Sequence, residues 1–320
     1  MKLADERRKT ILIWVAIAII LAVGVAILTT GIILSTASRS LYSQTGGITS
    51  RTGASYSSSA TDTSAVVVDD SGSFTLLEST ISKSGDTSSS DNSGFYGLNA
   101  AVLVKSGSKL TLRDSTITTS GTGANGAFAT GPGSSITLSN VTINATAQFA
   151  HAVMASDAGS LTVTNVKMTT AGAYSGAVAT DRGGGTITVN GGVVNTSGQD
   201  SPGIYSTGAI SVSGAKIAST GAEPAVIEGS NSIDLKDTAL SSSKENKWGV
   251  LLLQSMSGDA RGGKGDLHDD RWVSLLYVDK RPTLLCHQLD RLYHAFGSER
   301  HRRFGRTLES RRRSLGQQRL

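Results

Sequence analysis

Aliphatic residues recur along this chain in a fixed phrase: one residue, a second two positions later, and a third five positions after that. The triplets are Leu110/Leu112/Ile117, Ile136/Leu138/Ile143, Leu161/Val163/Met168, Ile187/Val189/Val194, Ile210/Val212/Ile217 and Ile233/Leu235/Leu240, with an earlier copy at Phe74/Leu76/Ile81. From Leu110 onward the first positions are separated by 26, 25, 26, 23 and 23 residues. The +2 spacing places two side chains on one face of a strand. Small and turn-forming residues precede the third aliphatic, which therefore belongs to a second short strand. Four residues after each first aliphatic stand Asp114, Asn140, Asn165, Gly191, Gly214 and Asp237. These residue types accept left-handed backbone geometry at a corner. A further half-rung follows each phrase, with Ala127/Ala129, Val153, Val178, Ile204, Val226 and Val250.

One repeat therefore predicts one turn of several short strands. Three buried aliphatics contribute about 1.5–3 kcal/mol each, which offsets the ordering of a short rung only when turns stack and pair with one another. A β-sandwich also has short strands and Gly-rich turns, but it does not require the same 2-then-5 spacing in seven copies. The expected fold is all-β: a right-handed parallel β-helix, preceded by one N-terminal transmembrane helix. The rung pattern over about residues 66–258 resembles that of the pectin-lyase-like superfamily, which includes adhesin-like bacterial surface proteins. That resemblance implies a fold and a surface location, and leaves activity open.

Residues 11–34 (ILIWVAIAIILAVGVAILTTGIIL) carry no charge. As a helix they span about 36 Å, enough to cross a hydrocarbon core of about 30 Å. Lys2, Arg7, Arg8 and Lys9 precede them, which keeps residues 1–10 in the cytoplasm. A cleaved signal peptide is the rival reading, but its apolar region is usually shorter, about 7–15 residues. Both readings export the rest of the chain. Residues 35–65 are mostly Ser, Thr and Gly and read as a flexible tether. Residues 66–258 form the expected β-helix. Residues 83–100 lengthen its first rung and carry the adjacent aromatics Phe95 and Tyr96, read as an end cap on the apolar column or as a ligand platform.

Charge divides the chain unevenly. Residues 40–260 hold 11 Lys/Arg and 16 Asp/Glu, whereas 261–320 hold 14 and seven. The acidic, Ser/Thr-rich body is not a nucleic-acid surface. Cys286 is the single cysteine, so no disulfide framework exists. Residues 259–320 form a basic tail containing twelve of the chain's Arg residues and four of its five His residues, and the rung pattern is lost there. One codon assignment for Asp266–Ser274, read one nucleotide later, gives TFTMTGGS followed by leucine. It places Phe for Leu267, Met for Asp269 and Leu for Ser274. A second restored rung follows 26 residues on, with aliphatics in place of Tyr293, Ala295 and Arg300. The expectation is an out-of-frame continuation of the β-helix that starts within 258–266 and is poorly ordered. A basic tail that binds RNA or anionic lipid is the alternative.

Candidate chemistry is sparse. Asp157 and Asp181 follow Ala155-Ser156 and Ala179-Thr180, so they are expected to stack on adjacent rungs beside Arg182. Polysaccharide lyases of the resembled fold use acids from neighbouring rungs to hold calcium and an arginine or lysine as base. Calcium takes six to eight oxygen ligands, which this sequence does not obviously supply. Asp69-Asp70 is the acidic doublet of the body, His151 its histidine, and Lys244–Trp248 a charged loop with a tryptophan. Asn140, Asn144 and Asn195 fit N-x-S/T sequons without an assigned role. No cofactor or metal site is expected. The expected partners are the lipid bilayer, through residues 11–34, and a glycan or cell-surface ligand. The reading is a non-catalytic, adhesin-like or glycan-binding surface protein; the alternative is a polysaccharide lyase or glycoside hydrolase.

Overall fold

A computed structural model describes residues 41–244, 249–253, 265–270, 274–277 and 284–286. The segment 11–34 assigned to the membrane, the Glu245–Trp248 part of the charged loop and most of the basic tail lie outside the described residues. Among the described residues no helix is long and apolar enough to cross a membrane.

Each coil contributes one strand to each of three parallel sheets, and the coils stack into a parallel β-helix. Among the described residues the first sheet has ten strands and the second and third have nine each. Register follows the phrase read from the sequence. Leu110, Ile136, Leu161, Ile187, Ile210 and Ile233 lie opposite one another in the second sheet, and Leu112, Leu138, Val163, Val189, Val212 and Leu235 do the same two residues later. The third members, from Ile81 to Leu240, align in the third sheet. All belong to one continuous buried cluster. The corner between the second and third sheets is left-handed at Asp114, Asn140, Asn165 and Asp237, with φ between 47° and 53°, and at Gly191 and Gly214.

The sequence-based boundaries change at both ends. Residues 41–65, read as tether, contain a full coil: β1 (Tyr42–Thr45), β2 (Ile48–Thr52) and β3 (Ser55–Ser58). Its polarity disguised it. Thr49 and Arg51 occupy the register positions of Phe74 and Leu76. Among the described residues no coil precedes it, so its inner face packs on one neighbour only and aliphatics there are dispensable. Tyr42 instead stacks on Phe74, with ring centroids 4.6 Å apart, and Tyr56 lies 5.4 Å from Tyr42. These aromatics, rather than Phe95 and Tyr96, pack on the column at its first described coil. At the other end, strands Asp266–Asp270, Ser274–Tyr277 and Leu284–Cys286 pair with the coil before them, so part of the stretch read as poorly ordered tail continues the stack. Leu267 takes the inward position of Ile233, but Asp269 takes the register position of Leu235.

A short helix, α1 (Ser90–Tyr96), interrupts the second coil. Ser89 caps its N-terminus and Gly97, at φ 70°, ends it. It packs along the outside of the first sheet. The Ser93 hydroxyl donates to Gly123 O, Asn125 Nδ2 donates to Ser93 O at 3.0 Å, and the Ser156 hydroxyl donates to Phe95 O at 2.6 Å. Beneath this insertion lies a second buried cluster of Ala100, Phe128, Met154 and Ala179, with Leu103 and Tyr205 against it. Val226, read above as an inward half-rung residue, pairs with Tyr205 on this outer column; its neighbours Ala225 and Ile227 face the core.

Candidate functional site

The acidic candidates are not brought together as their sequence context suggests. Ala155 pairs with Thr180 rather than with Ala179, so Asp181 lies one register position from Asp157. Val153 and Val178 are register partners 25 residues apart, whereas Asp157 and Asp181 are 24 apart, so the later carboxylate comes one position sooner along its coil. Asp157 instead meets Arg182 through the backbone, its N–H donating to Arg182 O at 2.9 Å. The Arg182 guanidinium sits over the Phe95 ring, 3.9 Å from its centroid, a cation–π contact. Arg182 therefore grips the insertion. Among the described residues no three His, Cys, Asp or Glu side chains gather as a metal site.

The other titratable candidates have structural partners. Asp69 pairs with Lys105 at 3.0 Å, and hydrogen bonding from Ser106 holds its carboxyl below the usual carboxylate range. His151 Nδ1 lies 2.8 Å from Gly176 O; a neutral ring donates its Nδ1–H there, and burial pushes the ring's pKa down. Asn140 Nδ2 donates to Asp114 Oδ1 at 3.0 Å, and Asn165 Nδ2 to Asn140 Oδ1 at 2.9 Å, so the corner polar residues form a side-chain ladder.

The feature best suited to binding lies at the corner between the third sheet and the next coil's first sheet. Phe149 and Tyr174 occupy successive positions there and stack, with centroids 5.3 Å apart and planes 12° from parallel. Both adopt left-handed backbone geometry, at φ 55° and 54°, which is unusual for bulky residues and costs about 1–2 kcal/mol each. Stacking returns about 0.5–1.5 kcal/mol. Tyr174 remains 48% exposed. One ring face packs on Phe149. The next corner position on the opposite side is the short Asp200, whose backbone repeats the left-handed turn. Gln148 and Gln199 are exposed beside it. An aromatic face flanked by amides and a carboxylate can stack on the C–H face of a sugar ring and hydrogen-bond its hydroxyls.

The sequence reading missed this pair, although it carries a signal. Phe149 and Tyr174 are 25 residues apart, one coil period, within AQFA and GAYS. Aromatics at equal phase in a solenoid stack on the same edge. No protein-family model, curated protein or solved structure matches this chain.

Proposed function

We propose that this protein is a membrane-anchored, extracytoplasmic, right-handed β-helix that binds glycans without turning them over, in the manner of an adhesin. The single observation that supports the binding role is the exposed Phe149–Tyr174 stack with Gln148, Gln199 and Asp200 on the same corner. The apolar segment 11–34 and the basic residues before it support the anchor. The ligand class is a neutral pyranose oligosaccharide, because the site offers a flat aromatic face and hydrogen-bonding groups but no cation cluster. Titration with soluble oligosaccharides should show binding that Tyr174→Ala weakens about tenfold or more, with circular dichroism unchanged. Absence of binding by the native chain across neutral oligosaccharides rejects the assignment.

The chain beyond somewhere in 258–266 is an out-of-frame continuation of the β-helix in this reading. Its support is the pair of rungs restored by a one-nucleotide shift, together with Asp269 at the register position of a core leucine, where the shifted reading has methionine. Nucleotide sequencing across codons 255–320 decides it. A gene whose codons cannot encode those rungs in a shifted frame removes the idea.

A further inference from the structure

The inward positions of the third sheet contain a column of small side chains. In register order it runs Ser58, Lys83, Thr119, Ala145, Thr170, Thr196, Ser219 and Ser242. Lys83 is the anomaly, a long amine 1% exposed in a row of hydroxyls and one methyl. Its Nζ donates to Ala60 O at 2.8 Å and to Gly85 O at 2.7 Å.

The geometry of a coil determines what lies next to this column. In the first coil the Ser58 hydroxyl reaches Thr63 O at 2.7 Å, and in a later coil the Thr170 hydroxyl reaches Ser175 O at 2.6 Å. The residue equivalent to Thr63 and Ser175 in the Lys83 coil is Asn99, three positions before the strand that starts at Val102. Asn99 is fully buried. Its Nδ2 donates to Gly85 O at 2.7 Å, the same oxygen that accepts from Lys83, and to Thr122 O at 3.2 Å. Its Oδ1 has no hydrogen-bond partner. A buried carbonyl without a donor is disfavoured, so this amide is poorly accommodated as it stands.

From this juxtaposition on one carbonyl of an enclosed amine and a carboxamide whose oxygen is unpaired, we infer that Lys83 and Asn99 are a site of spontaneous intramolecular isopeptide formation. The neutral amine attacks Asn99 Cγ. The Nζ–Cγ bond forms, the Cγ–Nδ2 bond breaks, one Nζ proton passes to Nδ2, and ammonia leaves. Atoms and electrons balance with no oxidant or cofactor. The new amide N–H can keep the bond to Gly85 O, while the carbonyls of Ala60 and Thr122 lose these side-chain donors. Burial favours the reactive form, since desolvation lowers the Lys83 pKa against the opposing charges of Asp86 and Asp62. The cross-link ties the root of the α1 insertion to the strand that precedes it.

Mass spectrometry of the purified full chain tests this. The expected chain is about 17 Da lighter than its sequence, the mass of one ammonia. Cleavage before aspartates separates residues 70–85 from 91–113, and the expected digest contains these two joined as one branched species. Lys83→Thr and Asn99→Ser place the residue types of equivalent coils at each position; each should restore full mass and separate the fragments. A native chain at unmodified mass overturns the proposal. So does a deficit confined to a linear 91–113 fragment, which marks a succinimide at Asn99.

Discussion

The first and second sheets use the same backbone alternation for different ends. In the second sheet, Ser135–Ser139 (SITLS) and Lys109–Arg113 (KLTLR) bury alternate residues only, and Thr137 and Thr111 face outward. In the first sheet, Val153–Ser156 (VMAS) and Val178–Thr180 (VAT) are buried at every position. The difference originates outside the strands. The α1 insertion covers the outward column Leu103, Phe128, Met154 and Ala179 across four coils, whereas the second sheet's outer face is polar and uncovered. A strand covered on both sides no longer needs a polar face and reads as a near-continuous apolar run. The two sheets thus show that binary pattern records what packs against a strand as well as the strand itself.

Substitution on the two outer faces should separate them most sharply. Phe128→Ala removes a fully buried ring beneath the insertion and should cost about 3–5 kcal/mol. Thr137→Ala, on the bare face, should stay within about 0.5 kcal/mol. Urea midpoints at constant slope measure both, and equal losses would break the comparison. The corner beside the bare sheet should be governed by backbone preference rather than cover. Asn140→Ala should destabilise by about 1–2 kcal/mol through its left-handed φ and the broken amide ladder. Asn140→Gly should recover most of that loss, since Gly191 already serves at the equivalent corner. Arg182→Ala should cost about 0.5–1 kcal/mol and speed amide exchange over 84–100, while exchange in the second sheet stays unchanged.

The smallest expected effect is a difference in pH window. His151 stands two residues before the strand Val153–Ser156, and burial lowers its pKa in the folded chain from 6.5. The unfolded chain therefore binds the proton first, and stability should decline as pH falls below 6.5; His151→Gln should flatten that slope. At the surface, hydrogen bonds from Ser88 lower Asp62 and one from Ser106 lowers Asp69, each from 3.8. Their contribution is fully present above pH 3.8 and is lost as pH falls through the folded values. Asp69→Asn should soften only this lower step. Unfolding midpoints across pH 2.5–7.5 would resolve the two windows.

Much of the inner column was legible because its signal is local and repeated. Phe74/Leu76/Ile81 through Ile233/Leu235/Leu240 recur with one spacing, and their register can be laid out by eye. The left-handed corners were legible for the same reason, since Asn140 and Gly191 serve one backbone conformation. The coil at 41–58 was not, because Thr49 and Arg51 stand where the next seven coils, from Phe74/Leu76 to Ile233/Leu235, have an aliphatic or Phe74. The binding corner was signalled only by two aromatics one period apart. Asp157 and Asp181 looked equivalent in their flanking residues, but they lie 24 residues apart on strands that register at 25.

The sequence by itself therefore determined the repeat, the strand face that turns inward and the corner geometry, because each depends on contacts within a coil or on one residue's backbone preference. Tertiary structure decided what a single coil cannot specify. It set the register of Asp157 against Arg182, the placement of α1 over Phe128 and Met154, and the stacking of Phe149 on Tyr174. It also set the approach of Lys83 and Asn99 to one carbonyl oxygen. These relations join residues 16 to 61 positions apart, and they exist only once the accumulated turn lengths have brought the coils into stack.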